Sequence, residues 1–247
     1  MIEPAALSSF SQKKRRDRAI PNRLLAALPP ADYQRILPDL KTVPITVKQV
    51  LHKHHEAVRY VYFPNGGVCS MTTVMADGSM VEVATIGYEG VVGINVFLGS
   101  DVMPGTTLVQ VGDGSAVRMS VTAFRRELDR GGAFQKVIRR YAQALVATMM
   151  QSVACNTLHH LEQRCCRWLL MTHDRVDGDE FGLSHEFLAV MLGARRPTVT
   201  LVAGSLQRLG LIRYKHGRVR VLDRGRLEDM SCECYVTIRR HFTRLHL

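Results

Sequence analysis

The sequence contains no uninterrupted apolar run long enough to cross a membrane as a helix, which needs about 20 predominantly apolar residues. Its first residues, MIEPAALSSFSQKKRRDRA, place a basic cluster after a weakly apolar stretch. A secretory signal peptide has the reverse order. These two absences predict a cytoplasmic protein that does not act at a membrane.

Cysteine is sparse and irregularly spaced, and motifs typical of enzymes are missing. The 6 cysteines fit neither a zinc ribbon nor an extracellular disulfide framework, and none precedes Cys69. We find no Ser/His/Asp arrangement, phosphate-binding loop or nucleotide-fold motif. The sequence therefore predicts a reduced, non-enzymatic protein without an identifiable cofactor.

Positive charge is present in excess and is concentrated at the two ends. The chain has 247 residues, 46% of them hydrophobic and 22% charged, with a formal net charge of +11. Residues 195–247 carry 12 Lys and Arg against 4 Asp and Glu, and residues 1–30 have a net charge of +4, whereas residues 31–194 are close to neutral. Such localised charge indicates a surface that contacts phosphates.

The pattern along the chain predicts an α+β protein in four parts. Residues 1–21 are expected to be a flexible basic tail. Residues 22–132 contain a short helix broken at Pro29-Pro30 and then many short alternating runs between turn signals, which is typical of a small antiparallel β-barrel or roll. A long helix is predicted over 133–158, and a DNA-binding domain over 159–247.

The long helix is predicted from a segment that lacks glycine and proline between Phe134 and Thr157. Its apolar residues recur every three or four positions, which is compatible with a core helix or with a dimer interface. We favour the dimer interface because part of this face is small or polar. The predicted interface residues are Phe134, Ile138, Tyr141, Leu145, Met149 and Ser152.

Two helices joined by a short bend are predicted after an acidic turn, DRVDGDEFG. Ser184 can cap the first helix, and Gly193 is a natural stop for it. Pro197 would be costly inside a helix but is favoured in a first turn, so it begins the second helix. This pattern indicates a helix-turn-helix.

The second helix of this pair has two distinct faces. Its predicted core face contains Val199, Val202, Ala203, Leu206 and Leu209. The opposite face is narrow enough for a major groove, and a two-stranded wing with its turn at His216-Gly217 follows. We predict that double-stranded DNA is contacted by Ser184, His185, Glu186, Arg195, Arg196, Pro197, Thr198, Thr200, Leu201, Arg208, Lys215 and Arg218.

The segment LSHEFLAVMLGARRPTVTLVAGSLQRLGLIRYKHGRVRVLDRGRLE closely resembles the winged helix-turn-helix of the Crp/Fnr family of bacterial transcription regulators. LEQRCCRWLLM resembles the segment that leads into that domain, and the resemblance covers about residues 22–230. It implies an N-terminal β-roll like a cyclic-nucleotide-binding domain, a dimerisation helix and a homodimer on two-fold related DNA. The roll would serve as a scaffold, bind an effector other than cyclic AMP, or contact RNA polymerase.

Comparison with that family also shows differences in the recognition helix. The cyclic-AMP receptor type begins this helix with an Arg-Glu pair and has another base-reading Arg one turn later. This sequence has Arg196, Pro197 and Leu201 at those places. Pro197 cannot accept a hydrogen bond from cytosine, so we expect a different target sequence.

The segment that binds the effector in that family differs even more in this sequence. The family often binds cyclic AMP through Gly-Glu-x-Gly and a later Arg-Ser/Thr-Ala, but Val91 replaces the Glu, and no Lys, Arg or His occurs from Tyr60 to Val117. We therefore predict that ordinary cyclic AMP does not control the protein. The iron–sulfur branch needs an N-terminal group of cysteines, and none precedes Cys69. A haem needs an axial ligand in the roll, where Cys69 is present but no His accompanies it between Tyr60 and Val117, so we do not favour haem sensing. The effector-pocket candidates are Glu82, Glu89, Gly90, Val91, Gly105, Thr106 and Thr107.

Four smaller clusters leave alternatives open. The histidines of HKHHE, residues 52–56, are either solvated or a metal site, and we favour solvation; Cys165-Cys166 suits packing better than redox chemistry. Cys232 and Cys234 are thiols that could oxidise or bind metal, yet two ligands make an incomplete site. His159-His160 has no obvious partner. Glu89 is expected to be a turn or surface carboxylate.

The competing function is a sensor of a small molecule, redox state or metal that signals through a protein partner, with the basic C-terminal part incidental. Loss of specific DNA binding after removal of Arg195 and Arg196 would distinguish the two hypotheses.

Overall fold

The computed structural model describes residues 20–243, so most of the predicted basic tail lies outside the described residues. The helices are α1 Arg23–Ala26, α2 Pro30–Ile36, α3 Val121–Arg130, α4 Gly132–Leu158, α5 Leu161–His173, α6 His185–Leu192, α7 Arg196–Arg208, α8 Arg224–Asp229 and α9 Cys234–Thr243. The strands are β1 Lys41–Ile45, β2 Val50–His52, β3 Tyr60–Pro64, β4 Val68–Val74, β5 Met80–Ile86, β6 Thr106–Val111, β7 Gly114–Ser120, β8 Glu180–Gly182, β9 Ile212–Lys215 and β10 Arg218–Val221.

The first seven strands form the predicted antiparallel β-roll. They pair in two sheets, one in the order β1-β7-β3 and the other in the order β2-β6-β4-β5. Alternating apolar residues of both sheets are buried between them, as expected for facing antiparallel sheets. This small core contains Ile45, Cys69, Ile86, Val92, Val109 and Ala116.

Asn22 fixes the N-terminal helix to the roll. Its Oδ1 accepts hydrogen bonds from the backbone of Leu24 and Leu25, which caps α1. Its Nδ2 donates to the carbonyl oxygens of Pro64 and Gly90, and the whole side chain is buried. One amide therefore satisfies both the helix end and two loop carbonyls.

The long helix forms, but the prediction that its apolar face meets a second protomer is wrong. Helix α4 has 27 residues and spans about 40 Å. Its predicted interface face packs instead on α1, α3, α9 and β5 of the same chain. Met149 is partly buried there, and the fully buried members are Phe134, Ile138, Tyr141, Leu145 and Ser152.

Helix α5 joins the roll to the DNA-binding domain. Trp168 is the largest fully buried side chain of residues 20–243, and Cys165 and Cys166 are buried beside it, in keeping with a packing role. The turn after α5 ends in β8, which pairs with β10. The wing is therefore a three-stranded sheet in the order β8-β10-β9, where the sequence predicted two strands.

The helices of residues 20–243 include none with the length and apolarity that a membrane span requires.

Candidate DNA-binding interface

The bend between α6 and α7 forms where the sequence predicts it. The Ser184 Oγ accepts a hydrogen bond from the backbone N–H of Phe187 and caps α6. Gly193 ends α6 in the left-handed conformation with φ 57°, which favours glycine. Arg195 occupies the N-cap position of α7, and Pro197 lies in its first turn, where a missing N–H costs no helical hydrogen bond.

The core face of α7 agrees with the prediction except at its end. Val199, Ala203 and Leu206 are buried, and Val202 packs partly against the same core. Leu209, predicted to be buried, is 42% exposed because the helix stops at Arg208 and the chain turns away at Gly210.

The opposite face of α7 is open to solvent. Leu201 is 73% exposed. Gly204 lies one turn later and leaves the surface shallow. The remaining exposed residues on or beside this face are Arg195, Arg196, Pro197, Thr198, Thr200 and Arg208. A helix with this surface can enter a major groove about 12 Å wide.

Two of the predicted contact residues on α6 are already engaged with α7. The Arg196 Nη1 lies 3.3 Å from the Glu186 Oε2. The His185 Nδ1 lies 3.0 Å from the Thr200 Oγ1, and the Thr200 hydroxyl donates to the Arg196 carbonyl oxygen. Burial, and secondarily the Arg196 charge, lowers the pKa of His185, which favours a neutral imidazole beside the recognition helix.

The wing adds exposed cations next to α7. Its turn at His216-Gly217 has φ of 50° and 71°, which is the two-residue hairpin turn expected from the sequence. Lys215 is exposed at the tip. The Arg218 Nε lies 2.5 Å from one Glu180 carboxylate oxygen, and the Arg220 Nε lies 3.0 Å from the other. Glu180, whose pKa is lowered chiefly by the Arg218 hydrogen bond, orients both arginines.

Glu89, one of the effector-pocket candidates, is engaged in contacts within the chain. Glu89 lies in a turn, as expected, but it is not on the surface, since it is only 6% exposed. Its Oε1 accepts hydrogen bonds from the Gly87 backbone and from the Arg175 Nε, at 3.0 and 2.9 Å. Arg175 follows α5, so this carboxylate joins the roll to the C-terminal part of the chain.

Glu82 is likewise committed to a contact between the two domains. Its carboxylate accepts hydrogen bonds from the Trp168 indole N–H, at 3.1 Å, and from the Ser70 hydroxyl. Burial raises the pKa of Glu82. Helices α4 and α6 pack against β5, the strand that carries Glu82, and α5 reaches it through Trp168.

The other effector-pocket candidates pack closely or are buried within the fold. A Cβ on Gly90 would lie 2.6 Å from the Tyr141 hydroxyl oxygen, and one on Gly105 would lie 2.1 Å from the Thr72 carbonyl oxygen. The Thr106 carbonyl oxygen accepts a hydrogen bond from the Thr72 hydroxyl. Val91 and Thr107 are buried. Glycine at the first two positions is thus explained by close packing.

A cleft of about 800 Å³ lies between the roll and the wing. Lys48 and Asp113 line its roll side, and Glu180, Ser184 and Arg218 line its other side. None of the effector-pocket candidates lines this cleft. A smaller cleft lies beside Glu89 and Arg175, and none of the other six candidates lines it.

The histidine clusters also differ from expectation. His52 is 7% exposed and its Nε2 lies 2.8 Å from the Tyr60 carbonyl oxygen, so it is not solvated. His159, which seemed to lack a partner, lies beside Cys234 and Glu233. Cys232 and Cys234 are buried. No sequence signal indicated the partners Arg175 and Trp168, since both are distant along the chain from the residues that they contact.

The β-roll, the long helix and the exposed basic helix-turn-helix together define a DNA-binding regulator. Residues 163–230 match the family model of the Crp-like helix-turn-helix domain. Residues 163–230 are thus a Crp-like helix-turn-helix domain, and the chain shares the fold of Crp/Fnr proteins, which confirms the resemblance seen in the sequence.

Solved structures share the fold at low identity. FixK2 of Bradyrhizobium japonicum is 14% identical with a TM-score of 0.67, over 78% of this chain and 98% of that one. TTHB099, a CRP-family transcriptional regulator of Thermus thermophilus, is 19% identical with a TM-score of 0.65, over 76% and 96%. CLP, a c-di-GMP responsive global regulator of Xanthomonas campestris, is 15% identical with a TM-score of 0.63, over 77% and 98%. A comparison with curated proteins gave no match.

Proposed function

We propose that the protein is a homodimeric, sequence-specific transcription regulator that reads DNA with α7 and is not controlled by ordinary cyclic AMP. Contact with RNA polymerase belongs to this proposal. The observation that carries it is the exposed face of α7, with Arg195 and Arg196 at the helix end that enters the groove and Thr198 and Leu201 behind them.

The chemistry of this face gives each residue a role. Arg196 can donate two hydrogen bonds to guanine O6 and N7, once its contact with Glu186 is exchanged for the base. Thr198 and Thr200 can bond bases or phosphates, and Leu201 can touch a thymine methyl. The wing residues Lys215 and Arg218 would add phosphate contacts, which make binding dependent on salt.

A cyclic mononucleotide bound in the roll would need a positively charged side chain to pair with its phosphate. Arg175 is the basic side chain beside Glu89, but it is buried and paired with that carboxylate. An anionic phosphate would have to displace Glu89 from a pair that already links two domains. This arrangement supports control by another effector, or by none.

Dimerisation is supported by a second face of α4, opposite to the one that the sequence indicated. Apolar residues on it remain exposed: Val146 is 48%, Met150 69% and Val153 68% exposed. Together with the exposed Gln143 and Thr157 they alternate at spacings of three and four residues, which is the pattern of a coiled-coil seam. A second copy of α4 fits this stripe.

The DNA-binding proposal is tested with the double variant Arg195→Ala/Arg196→Ala. A binding site is first selected from genomic fragments with the wild-type protein, and affinity is then measured by gel shift at fixed salt. We expect specific affinity to fall about 10- to 100-fold, since a bidentate arginine–guanine pair contributes about 1–3 kcal/mol.

The matched control is Lys53→Ala/Arg130→Ala, which removes two exposed positive charges from the roll. It should keep specific binding, because its charges lie away from α7. Circular dichroism and the oligomeric state establish that both variants remain folded. Retained sequence preference in the Arg195→Ala/Arg196→Ala variant would contradict the assignment of α7 as the recognition helix.

A further inference from the structure

Four potential metal ligands meet where the end of α4 touches the start of α9. Cys155 and His159 lie one turn apart at the end of α4, and Cys232 and Cys234 precede and begin α9. Their ligand atoms, three Sγ and one histidine nitrogen, all lie within 4.8 Å of one another. The fold therefore brings together residues that are about 75 positions apart in sequence.

The spacing of these atoms suits a tetrahedral ion. Zinc binds sulfur at about 2.3 Å and nitrogen at about 2.0–2.1 Å, so neighbouring ligand atoms of a tetrahedral site lie about 3.3–3.8 Å apart. The Sγ atoms of Cys155 and Cys232 are 3.5 Å apart, and the Cys234 Sγ is 3.5 Å from the His159 Nδ1. A disulfide would instead need a sulfur–sulfur distance of about 2.05 Å.

The ligand set and its burial indicate a structural site. Three cysteines and one histidine form one of the ligand sets of structural zinc. Cys155 and Cys234 are fully buried and Cys232 is 3% exposed, so all four positions of a tetrahedral ion would be filled by protein. The three cysteines also form a cluster separate from the main hydrophobic core.

Surrounding polar groups would hold the ligands in the right form. The His159 Nε2 lies 3.1 Å from a Glu233 carboxylate oxygen, which leaves Nδ1 as the nitrogen facing the sulfurs. The Gln151 side-chain amide donates to the Cys234 Sγ at 3.0 Å, a contact that stabilises a thiolate. Contacts of this kind orient the ligands in known metal sites.

Two arginines of α5 supply positive charge beside the sulfurs. Arg164 and Arg167 lie close enough to Cys155 for their charges to act on it. Arg167 is 6% exposed, and among residues 20–243 its Nε has no hydrogen-bond partner. Three thiolates, one neutral imidazole and one Zn²⁺ carry a net charge of −1, which a neighbouring guanidinium offsets.

We propose that Cys155, His159, Cys232 and Cys234 bind one Zn²⁺, which fastens α9 of the DNA-binding domain to the end of the long helix α4. Binding releases up to three protons, one from each thiol, and involves no oxidation. The ion would add to a contact between α4 and α9 that already includes the rings of Tyr141 and Phe242.

The proposal is tested on the full chain, purified in reductant and without an affinity tag that binds metal. Elemental analysis should find one zinc per chain. Replacement of zinc by Co²⁺ should give the thiolate charge-transfer and intense d–d absorption bands of a tetrahedral site. A strong chelator should lower the melting temperature of the wild-type protein.

The test variants are Cys234→Ser and His159→Asn, and the matched control is Cys69→Ala, a buried cysteine of the roll. Cys234→Ser should lose the zinc and the cobalt spectrum, and chelator should no longer change its melting temperature. His159→Asn keeps the three thiols and removes only the nitrogen ligand. It should therefore alter the cobalt spectrum. Cys69→Ala should behave as wild type.

Three results would overturn the proposal. The first is a fully reduced wild-type chain that takes up neither zinc nor cobalt. The second is zinc that remains stoichiometric in a folded Cys234→Ser variant, which would place the metal elsewhere. The third is a Cys155–Cys232 disulfide, found by mass spectrometry in protein kept in reductant, because it would make the thiol pair a redox element.

Discussion

At the scale of single residues, His52 shows how burial fixes a protonation state. Its Nε2 faces the Tyr60 carbonyl oxygen, which can only accept, so Nε2 carries the proton. Its Nδ1 is buried and has no hydrogen-bond partner in the part of the chain that the structure describes. A second proton would have to enter there without an acceptor, and burial accordingly lowers the pKa of His52.

This lowered pKa predicts a loss of stability in mild acid. Below the ordinary histidine pKa of about 6.5, the unfolded chain binds a proton that folded His52 resists, so the free energy of unfolding falls as pH decreases from about 7 until the folded pKa is reached. Urea unfolding at a series of pH values measures this. We expect His52→Gln, whose amide can still donate to Tyr60, to unfold with a weaker pH dependence.

The control for His52 is an exposed histidine of the same segment. His55 has φ 61°, a conformation that asparagine tolerates, so His55→Asn removes an imidazole with little backbone strain. Its curve should keep the wild-type slope. Equal slopes for His52→Gln and wild type would show that protonation of His52 does not contribute to the pH dependence of stability. Burial also lowers the pKa of His173, so some loss of stability in acid should remain in His52→Gln.

At the scale of elements, α4 has two apolar faces, and its own chain buries one of them. One face is buried by α1, α3, α9 and β5 of its own chain. The other exposes Val146, Met150 and Val153. A long helix at the surface with an apolar stripe of this kind gains stability when a second copy covers it.

Met150 lies at the centre of this stripe and is the natural position for a test. In Met150→Asp, two carboxylates would face each other across a two-fold seam, where their charge is desolvated. We expect the dimer dissociation constant to rise on the order of 100-fold, measured by sedimentation equilibrium, which corresponds to about 2.7 kcal/mol.

The control adds the same charge to the same helix outside the seam. Asn156 is exposed but is not part of the stripe, so Asn156→Asp should leave the dimer intact. Met150→Leu should do the same, because leucine keeps the apolar contact. A wild-type protein that sediments as a monomer, or a Met150→Asp variant that remains dimeric, would show that this face is not the interface.

The contrast between α7 and α4 shows what the sequence could predict. Ser184, Gly193 and Pro197 determine helix ends by local backbone chemistry, and the bend was predicted within one or two residues. On α4, periodicity marks Tyr141 and Leu145 as buried but cannot tell which surface buries them. The roll and the winged helix could therefore be predicted, whereas the surface that buries the apolar face of α4 could not.

Contacts between distant residues were equally beyond prediction. Glu89 and Arg175 are 86 positions apart, and Cys155 and Cys232 are 77 positions apart. From the sequence, a carboxylate in a glycine-rich turn is expected to be exposed, because no residue nearby in sequence can pair with it. Only the folded arrangement of α5 and α9 supplies the partners.

At the scale of the whole molecule, the roll and the DNA-binding domain are held together by buried polar contacts. Glu89 pairs with Arg175, and Glu82 accepts a hydrogen bond from Trp168. Val81 of β5 approaches the position of Gly193, the glycine that forms the bend before α7. The roll is thus in direct contact with the bend that precedes α7.

The Glu89–Arg175 pair should be the most costly of these contacts to break. Both side chains are less than a tenth exposed, so loss of one charge leaves the other buried without its partner. We expect Glu89→Gln, which preserves shape, to lower the free energy of unfolding by about 3 kcal/mol. This lies at the low end for buried pairs because Asp174 also acts on Arg175. Urea unfolding measures the change.

The surface ion pairs of Glu180 provide a comparison for the loss of stability expected in Glu89→Gln. Glu180 also contacts two arginines, but its side chain is 34% exposed, and water compensates for the loss of its charge. Glu180→Gln should therefore cost much less stability than Glu89→Gln. If the two variants lose similar stability, the buried pair does not hold the domains together. If only Glu89→Gln is strongly destabilised, the carboxylate that resembles part of a ligand site in the sequence acts instead as the link between roll and DNA-binding domain.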